Sequence, residues 1–282
     1  MKRLLLTAVL AILSPASAVA ADWYGPQEPF AVFGNTWYVG THGLSAVLIT
    51  SPQGHILIDG AGPEAPPAIA DHIRQLGFKL EDIKFILNSH EHFDHAGGIA
   101  ALQKMTGATV LASVAAEQVL RTGRTSPGDP QYANLTTPLA AVANTRAVRD
   151  GEIVKVGPLA VTAHYTPGHT AGGTSWTWQS TEGGKTASMV YADSLNAITD
   201  GKFRYTGSPL LAAMKQSIAT VAAFDCDILV SAHPEGSDLW QRHARSAQEG
   251  NAAFIDRAAC RQYAQKGQQR LEQTLAAEAA KK

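Results

Sequence analysis

The chain of 282 residues has only two cysteines, a formal net charge of −1 and, beyond its first twenty residues, no long apolar run. Each shortage excludes something. With 23 Lys and Arg against 24 Asp and Glu, there is no excess of either sign to draw the chain to nucleic acid or to an anionic membrane. No later segment reaches the roughly 20 apolar residues that a membrane-crossing helix needs. Two nucleophile motifs are missing, Ser-x-x-Lys and Gly-x-Ser-x-Gly, so the common serine-hydrolase designs are set aside. His90-Glu91 is not followed by a histidine at the fifth position, which is Asp94, so the helical zinc-protease motif is absent too.

The beginning of the chain reads as a secretory leader. Lys2-Arg3 is the charged start, Leu4 to Leu13 the apolar core, and Ala18-Val19-Ala20 the small-residue cleavage site. Residues 1–20 are therefore expected to be removed on export to the periplasm. Residues 21–282 are expected to form one domain of two αβ halves meeting near residue 150, and to be monomeric. With 45% hydrophobic residues there is ample material for a core. Cys226 and Cys260 both come late and far from any cluster of metal ligands. In an exported chain such a pair is expected to be bridged, which contributes roughly 4 kcal/mol in the chain-entropy model.

Strands and helices alternate along the sequence. Ser45 to Thr50 and His55 to Asp59 flank Ser51-Pro52-Gln53-Gly54 and predict a hairpin. Ile69, Ile73 and Leu76 predict a helix ending at Gly77, and Lys84 to Leu87 a strand. A helix over 98–105, a strand over 109–112 and a helix over 115–120 follow. Residues 122–138 hold Gly123, Pro127, Gly128, Pro130 and Pro138 with little periodicity; a functional lid or binding loop and a plain surface excursion are equally open there. Strands are expected again over 153–156, 159–165, 174–178 and 188–192, with a turn at Gly183-Gly184. A helix over 210–223, a strand over 227–231 and a long helical tail complete the pattern.

His90-Glu91-His92-Phe93-Asp94-His95 places four potential metal ligands within six residues, directly after a strand. Imidazole nitrogens and carboxylates are the usual zinc ligands, and in an extended stretch His90 and His92 point the same way. Asp94 and His95, where the chain turns toward a helix, would face a second ion. His169, in Thr166-Pro167-Gly168-His169-Thr170, and His233, in Ser231-Ala232-His233-Pro234, also follow strands, in tight turns that can hold an imidazole rigidly. They are expected to converge with the first cluster on one sheet edge. His42, His55, His72, His164 and His243 read as ordinary.

His90-x-His92-x-Asp94-His95, His169 and His233 together resemble the metallo-β-lactamase superfamily, as does Leu57-Ile58-Asp59-Gly60, whose aspartate is usually structural in that family. The likeness spans essentially the whole mature chain. It implies an α/β fold, a four-layer αββα sandwich with two mixed sheets inside and helices outside, and a zinc site at one edge. Asn88-Ser89-His90-x-His92-Phe93-Asp94-His95-Ala96-Gly97-Gly98, Thr166-Pro167-Gly168-His169-Thr170, Tyr191-Ala192-Asp193-Ser194-Leu195, Ala232-His233-Pro234 and the late cysteine pair are similar to subclass B3. Other subclasses carry a cysteine ligand on the loop where this chain has Ser194.

That resemblance implies two Zn2+ ions, the first held by His90, His92 and His169 and the second by Asp94, His95 and His233. It also implies hydrolysis of the β-lactam amide of penicillins, cephalosporins and carbapenems by a zinc-bound hydroxide that Asp94 orients, and with it antibiotic resistance. Ser194 and Asn196 would meet the substrate carboxylate; Asn196 stands where relatives often have Ser or Thr. Asp193-Ser194-Leu195 also resembles the metal-bridging motif of other hydrolases of the superfamily, glyoxalase II among them. Two positions for Asp193 therefore stay open, behind a ligand or between the ions, with the first expected. Thioester, lactone or phosphoester hydrolysis is the rival activity, and an exported metal-binding protein without catalysis the third possibility.

Overall fold

Alternation along the strands sorts the apolar side chains into two sets, and the layers follow from that sorting. The structure is a computed structural model and describes residues 22–281, so the leader expected over residues 1–20 lies outside the described residues. In β3 (Val47–Ile49) and β4 (His55–Ile58), Val47, Ile49, Ile56 and Ile58 turn to one face while Leu48 and Leu57 turn to the other. The first set meets Val161, Trp176, Met189 and Val230 of a second sheet. The second set lies under helices α1 (Pro66–Gln75), α3 (Ile99–Thr106) and α4 (Val114–Thr122), after which the chain turns through Gly123. A helix α2 of one turn (Phe93–Ala96) precedes α3.

The first sheet runs in sequence order from β1 (Phe30–Phe33) and β2 (Thr36–Tyr38) through β3 and β4 to β5 (Ile83–Leu87), β6 (Thr109–Ala112) and β7 (Thr145–Ala147). Its first four strands pair antiparallel and its last four parallel, β4 belonging to both groups. The second sheet has the order β12-β11-β10-β9-β8, formed by β8 (Ile153–Val156), β9 (Leu159–Tyr165), β10 (Thr174–Glu182), β11 (Lys185–Ala192) and β12 (Ile228–Ser231). Met189 and Tyr191 face the first sheet; Val190, Ala192 and Leu229 face α5 (Pro209–Ala222) and α7 (Ala259–Ala280). The result is helix, sheet, sheet, helix, with both sheets mixed. Each fully buried Leu, Ile, Val or Met in these layers contributes about 1.5–3 kcal/mol.

Cys226 and Cys260 are bonded, 34 residues apart, and fasten the approach to β12 onto α7. Among the described residues no helix is long and apolar enough to cross a membrane.

Three features differ from the sequence expectation. β1, β2 and β7 are strands the pattern did not announce: each has three or four residues, and Thr145-Arg146-Ala147 lacks apolar alternation. The hairpin of β10 and β11 runs on to Glu182 and Lys185, because backbone pairing continues past the buried residues through polar ones to the turn at Gly183-Gly184. The tail is not one helix. α6 (Leu239–Glu249) stops at Gly250, whose positive φ of 61° no helix continues, and α7 starts afresh.

Candidate metal centre

β5, β9, β11 and β12 all end at one edge of the sandwich, and the chain beyond each carries a predicted ligand or its support. The stretch after β5 is held from both sheets. Asp59, buried at the end of β4, accepts hydrogen bonds from Ser89 N (2.7 Å), Ser89 Oγ (2.6 Å), Asn88 Nδ2 (3.3 Å) and the Tyr191 hydroxyl (2.8 Å). Thr174 N donates to Ser89 O (2.7 Å) and Trp176 Nε1 to Asn88 O (3.2 Å). Burial pushes the Asp59 carboxyl up, against the pull of the His95 charge and of the Ser89 and Tyr191 hydrogen bonds. With that stretch fixed, His90 and His92 face the same hollow and α2 swings Asp94 and His95 into it.

The turn carrying His169 has its own anchor. Glu91, buried between the two histidines, accepts from Thr170 Oγ1 (2.8 Å) and Gly172 N (3.2 Å). A Cβ on Gly172 would come 2.4 Å from Glu91 Oε2 and 2.7 Å from the Ala116 backbone nitrogen, so only glycine fits this approach.

All six predicted ligands come together. His92 Nδ1 and His169 Nε2 lie 3.2 Å apart, and these two residues and His90 present donor atoms within 4.8 Å of one another. Asp94 Oδ2, His95 Nε2 and His233 Nε2 form a triangle with sides of 3.2 and 3.3 Å. His90 stands between the two groups, also within 4.8 Å of Asp94 and His95. Five of the six residues are buried, and His233 is half-exposed at the mouth.

The outer nitrogens decide which way the lone pairs point. His169 Nδ1 lies 2.7 Å from Asn196 O and His233 Nδ1 3.2 Å from Gly43 O; a carbonyl can only accept, so each Nδ1 carries the proton and each Nε2 faces inward bare. His90 Nδ1 is 2.8 Å from Asp193 Oδ1, and His92 Nε2 is 3.0 and 3.1 Å from the two oxygens of Asp129. His90 Nε2 is buried without any partner. Burial first, and then the neighbouring His95, His169 and His92, drive His90 well below the usual imidazole range. Burial and His92 push His169 down to about 3. Burial opposes the charged form of His95 too, but the carboxylates of Asp94 and Asp59 outweigh it and raise that group. For Asp94 burial acts upward, yet the charge of His95 and the hydrogen bonds of His233 and His95 hold the carboxyl well below its ordinary range.

Asp59, Glu91, Asp94, Asp129 and Asp193 are buried around this hollow, and among the described residues none has a Lys or Arg partner. Burial pushes Asp193 well above the carboxylate range, opposed by the Ser194 N–H and reinforced by Asp59 and Glu91. Bare inward nitrogens, one inward carboxylate and uncompensated buried acids fit a divalent metal ion at this place. The hollow opens into a cleft of about 530 Å³ whose walls include Trp23, Phe93, Ser194, Asn196, Ile198 and Arg270.

Ser194 and Asn196 thus both reach the cleft, and Asn196 also serves through its backbone carbonyl on His169. Asp193 sits against the outer nitrogen of His90. Sequence reasoning missed Asp129, the anchoring role of Glu91, and Trp23, whose ring lies 5.6 Å from that of His233. The other five histidines lie outside the cluster; His42 stacks on Trp240 and His164 Nε2 pairs with Thr177 Oγ1.

Residues 39–233 match the family model of the metallo-beta-lactamase superfamily. Among solved structures, the chain is 70% identical to MEM-A1, a subclass B3 metallo-beta-lactamase isolated from a soil metagenome library, with a TM-score of 0.91 over 93% of this chain and 100% of that one. It is 52% identical to the metallo-beta-lactamase SMB-1 bound to 2-mercaptoethanesulfonate, with a TM-score of 0.89 over 91% and 99% of the two chains. A hydroxyacylglutathione hydrolase of Brucella anthropi is 29% identical over 213 residues, 76% of this chain and 69% of the relative. The match covers well over half the chain, the fold agrees, and the inward-facing donors lie where the motifs placed them: the protein belongs to the metallo-beta-lactamase superfamily and, within it, resembles the subclass B3 enzymes.

Proposed function

We propose that the protein is an exported zinc-dependent β-lactamase that opens the amide bond of penicillins, cephalosporins and carbapenems and so gives antibiotic resistance. The observation that carries this reading is the set of imidazoles fixed by oxygen acceptors on their outer nitrogens, with their inner nitrogens turned to one hollow beside an open cleft. The 70% identity to a subclass B3 metallo-beta-lactamase supports a β-lactam as the substrate.

In this reading His90, His92 and His169 would hold one zinc ion and Asp94, His95 and His233 a second. Zinc bound there supplies Lewis acidity for a carbonyl and lowers the pKa of water to roughly 7 from about 15.7. The chain's own groups do the rest. The Asp94 carboxylate accepts a hydrogen bond from the attacking water and orients it. Ser194 Oγ and the Asn196 side chain offer polar contacts to the substrate carboxylate from the cleft wall. Asp193 keeps His90 turned inward. The nucleophile is water, so no acyl adduct forms on the protein.

The hydroxyacylglutathione hydrolase relatives favour a second reading, thioester hydrolysis. Two facts weigh against it: the identity is far lower than to the B3 enzyme, and Asp193 Oδ1 is engaged with the outer nitrogen of His90 rather than lying between two ion sites. Export to the periplasm fits the Cys226–Cys260 bridge, since disulfides persist in oxidising compartments. The chain passes from one sheet to the other between Ala147 and Ile153, which fits one domain over residues 21–282 with halves meeting near 150.

The test is turnover of a chromogenic β-lactam by the purified protein. Activity is expected to fall with a chelator, to return with zinc and to ignore clavulanate, with the ring-opened acid as product. Cleavage of S-acyl glutathione thioesters with the lactam left intact would overturn the proposal in favour of the second reading.

A further inference from the structure

Asp129 is a buried carboxylate in an otherwise open loop. After α4 the chain runs without regular structure to β7, and over residues 126–134 only Asp129 and Pro130 are buried. Both carboxylate oxygens of Asp129 face His92 Nε2, at 3.0 and 3.1 Å, and Oδ1 also accepts from Gln131 N at 2.8 Å. Burying a carboxylate is costly unless it is hydrogen-bonded, and here the ring N–H of His92 and one backbone N–H are what it has. With the proton drawn to Nε2, Nδ1 of His92 is left as the accepting nitrogen, 3.2 Å from His169 Nε2 and 3.4 Å from the side-chain amide of Gln131.

The same loop is tied to the other side of the cleft. Asp200 N donates to Pro130 O (2.8 Å) and Ala133 N to Asp200 Oδ2 (3.0 Å). Asp200 lies four residues beyond Asn196, whose carbonyl accepts from His169 Nδ1. A closed circuit results: His92 to Asp129, loop to loop at Asp200, and back through Asn196 to His169.

We infer that Asp129 is a positioning residue that fixes His92 with Nδ1 inward and thereby couples the 126–134 loop over the cleft to metal occupancy of the site formed by His90, His92 and His169. The coupling is reciprocal: an ion that holds His92 also holds the loop, and a loop held by its other contacts presents His92 ready for the ion. This rests on the metal reading proposed above. A plain loop staple is the competing role, and Asp200, which touches no predicted ligand, supplies the control.

The experiment takes the metal-free chain over residues 21–282, titrates it with zinc against a chromophoric chelator, and uses cadmium NMR to tell the two sites apart. D129A is expected to weaken the site of His90, His92 and His169 about 10- to 100-fold and to spare that of Asp94, His95 and His233. D129N keeps an oxygen able to accept from His92 Nε2–H and should recover most of the loss. D200A should speed amide exchange over residues 126–134 and, by the same linkage, cost that site only a small part of the zinc affinity that D129A loses. Zinc should slow that exchange in the unaltered chain and fail to do so in D129A. Unchanged first-site affinity in D129A, equal weakening of both sites, or the same loss from D200A would each overturn the positioning role. If the unaltered chain takes up no zinc, the metal reading itself fails, and the proposal with it.

Discussion

One oxygen of Asp193 lies 2.8 Å from His90 Nδ1; the other is buried without a partner, where a Cβ on Gly173 would come within 2.4 Å. That placement gives opposite expectations for two neighbouring residues. Asp193→Asn should keep both ions and lose about 10- to 100-fold in metal affinity or turnover, since the group acts through His90. Ser194→Ala should leave the zinc content untouched and weaken substrate binding by about 0.5–1.5 kcal/mol, the worth of one hydrogen bond. Zinc per chain, measured beside kcat and KM, separates the two, and an Asp193→Asn protein emptied of metal would refute the assignment. At this scale the ligands were legible because four of them crowd six residues and the other two sit in Pro- and Gly-bounded turns. Asp129 was not. Its tie to His92 spans 37 positions, and nothing local in Pro127-Gly128-Asp129-Pro130 says that the carboxylate turns inward.

Among the elements, α7 shows how a polar contact can seat a helix that has only a modest apolar stripe. Near its end Glu278, buried, accepts from Tyr205 N (2.6 Å) and Thr206 N (3.0 Å), and its backbone carbonyl accepts from Arg204 (3.0 Å). Burial acts to raise this carboxyl, but the hydrogen bonds from Thr206 and Tyr205 prevail and hold it below its ordinary value. The sign follows: the carboxylate binds fewer protons folded than unfolded, so its stabilisation is complete above the ordinary glutamate range, about 4.3, and drains away as the pH falls through the folded value. Glu278→Gln turns an amide NH2 toward one of two backbone donors and should cost about 1–3 kcal/mol at neutral pH. Urea unfolding of both proteins from neutral pH down past about 4 should show that gap closing; a gap that stays constant would refute the role. Most elements were readable from period and punctuation: α1 from Ile69 and Ile73 before Gly77, and β6 from its compact apolar run. β1, β2 and β7 were not, because strands of three or four residues owe their existence to pairing with neighbours distant in sequence.

Across the whole molecule the candidate metal centre joins the two sheets. His90 and His92 follow β5 of the first sheet, while His169 and His233 follow β9 and β12 of the second. Their places just after strands gave the expectation that residues 90, 169 and 233 converge at one sheet edge; the family resemblance added their division between two ions, and the layered packing explains the convergence physically. Other contacts cross the same boundary without any ion: Ser45 Oγ donates to Ser231 O (2.7 Å), the Tyr191 hydroxyl reaches Asp59, and the apolar core lies between the sheets. The metal-free protein is therefore expected to stay folded, with native far-UV circular dichroism, but to unfold earlier. Free zinc at about 100 to 1,000 times its dissociation constant stabilises a site by about 3–4 kcal/mol, provided the unfolded chain binds it weakly. Calorimetry with and without a chelator should show a lower melting temperature in the metal-free form and its recovery on adding zinc. His169→Ala and His233→Ala should each lose part of that zinc-dependent increment, because each cuts the second sheet's hold on an ion and leaves the core between the sheets intact. Identical melting curves for the loaded and stripped proteins would mean that no ion bridges the sheets, and that the hollow at their edge is held by its hydrogen bonds alone.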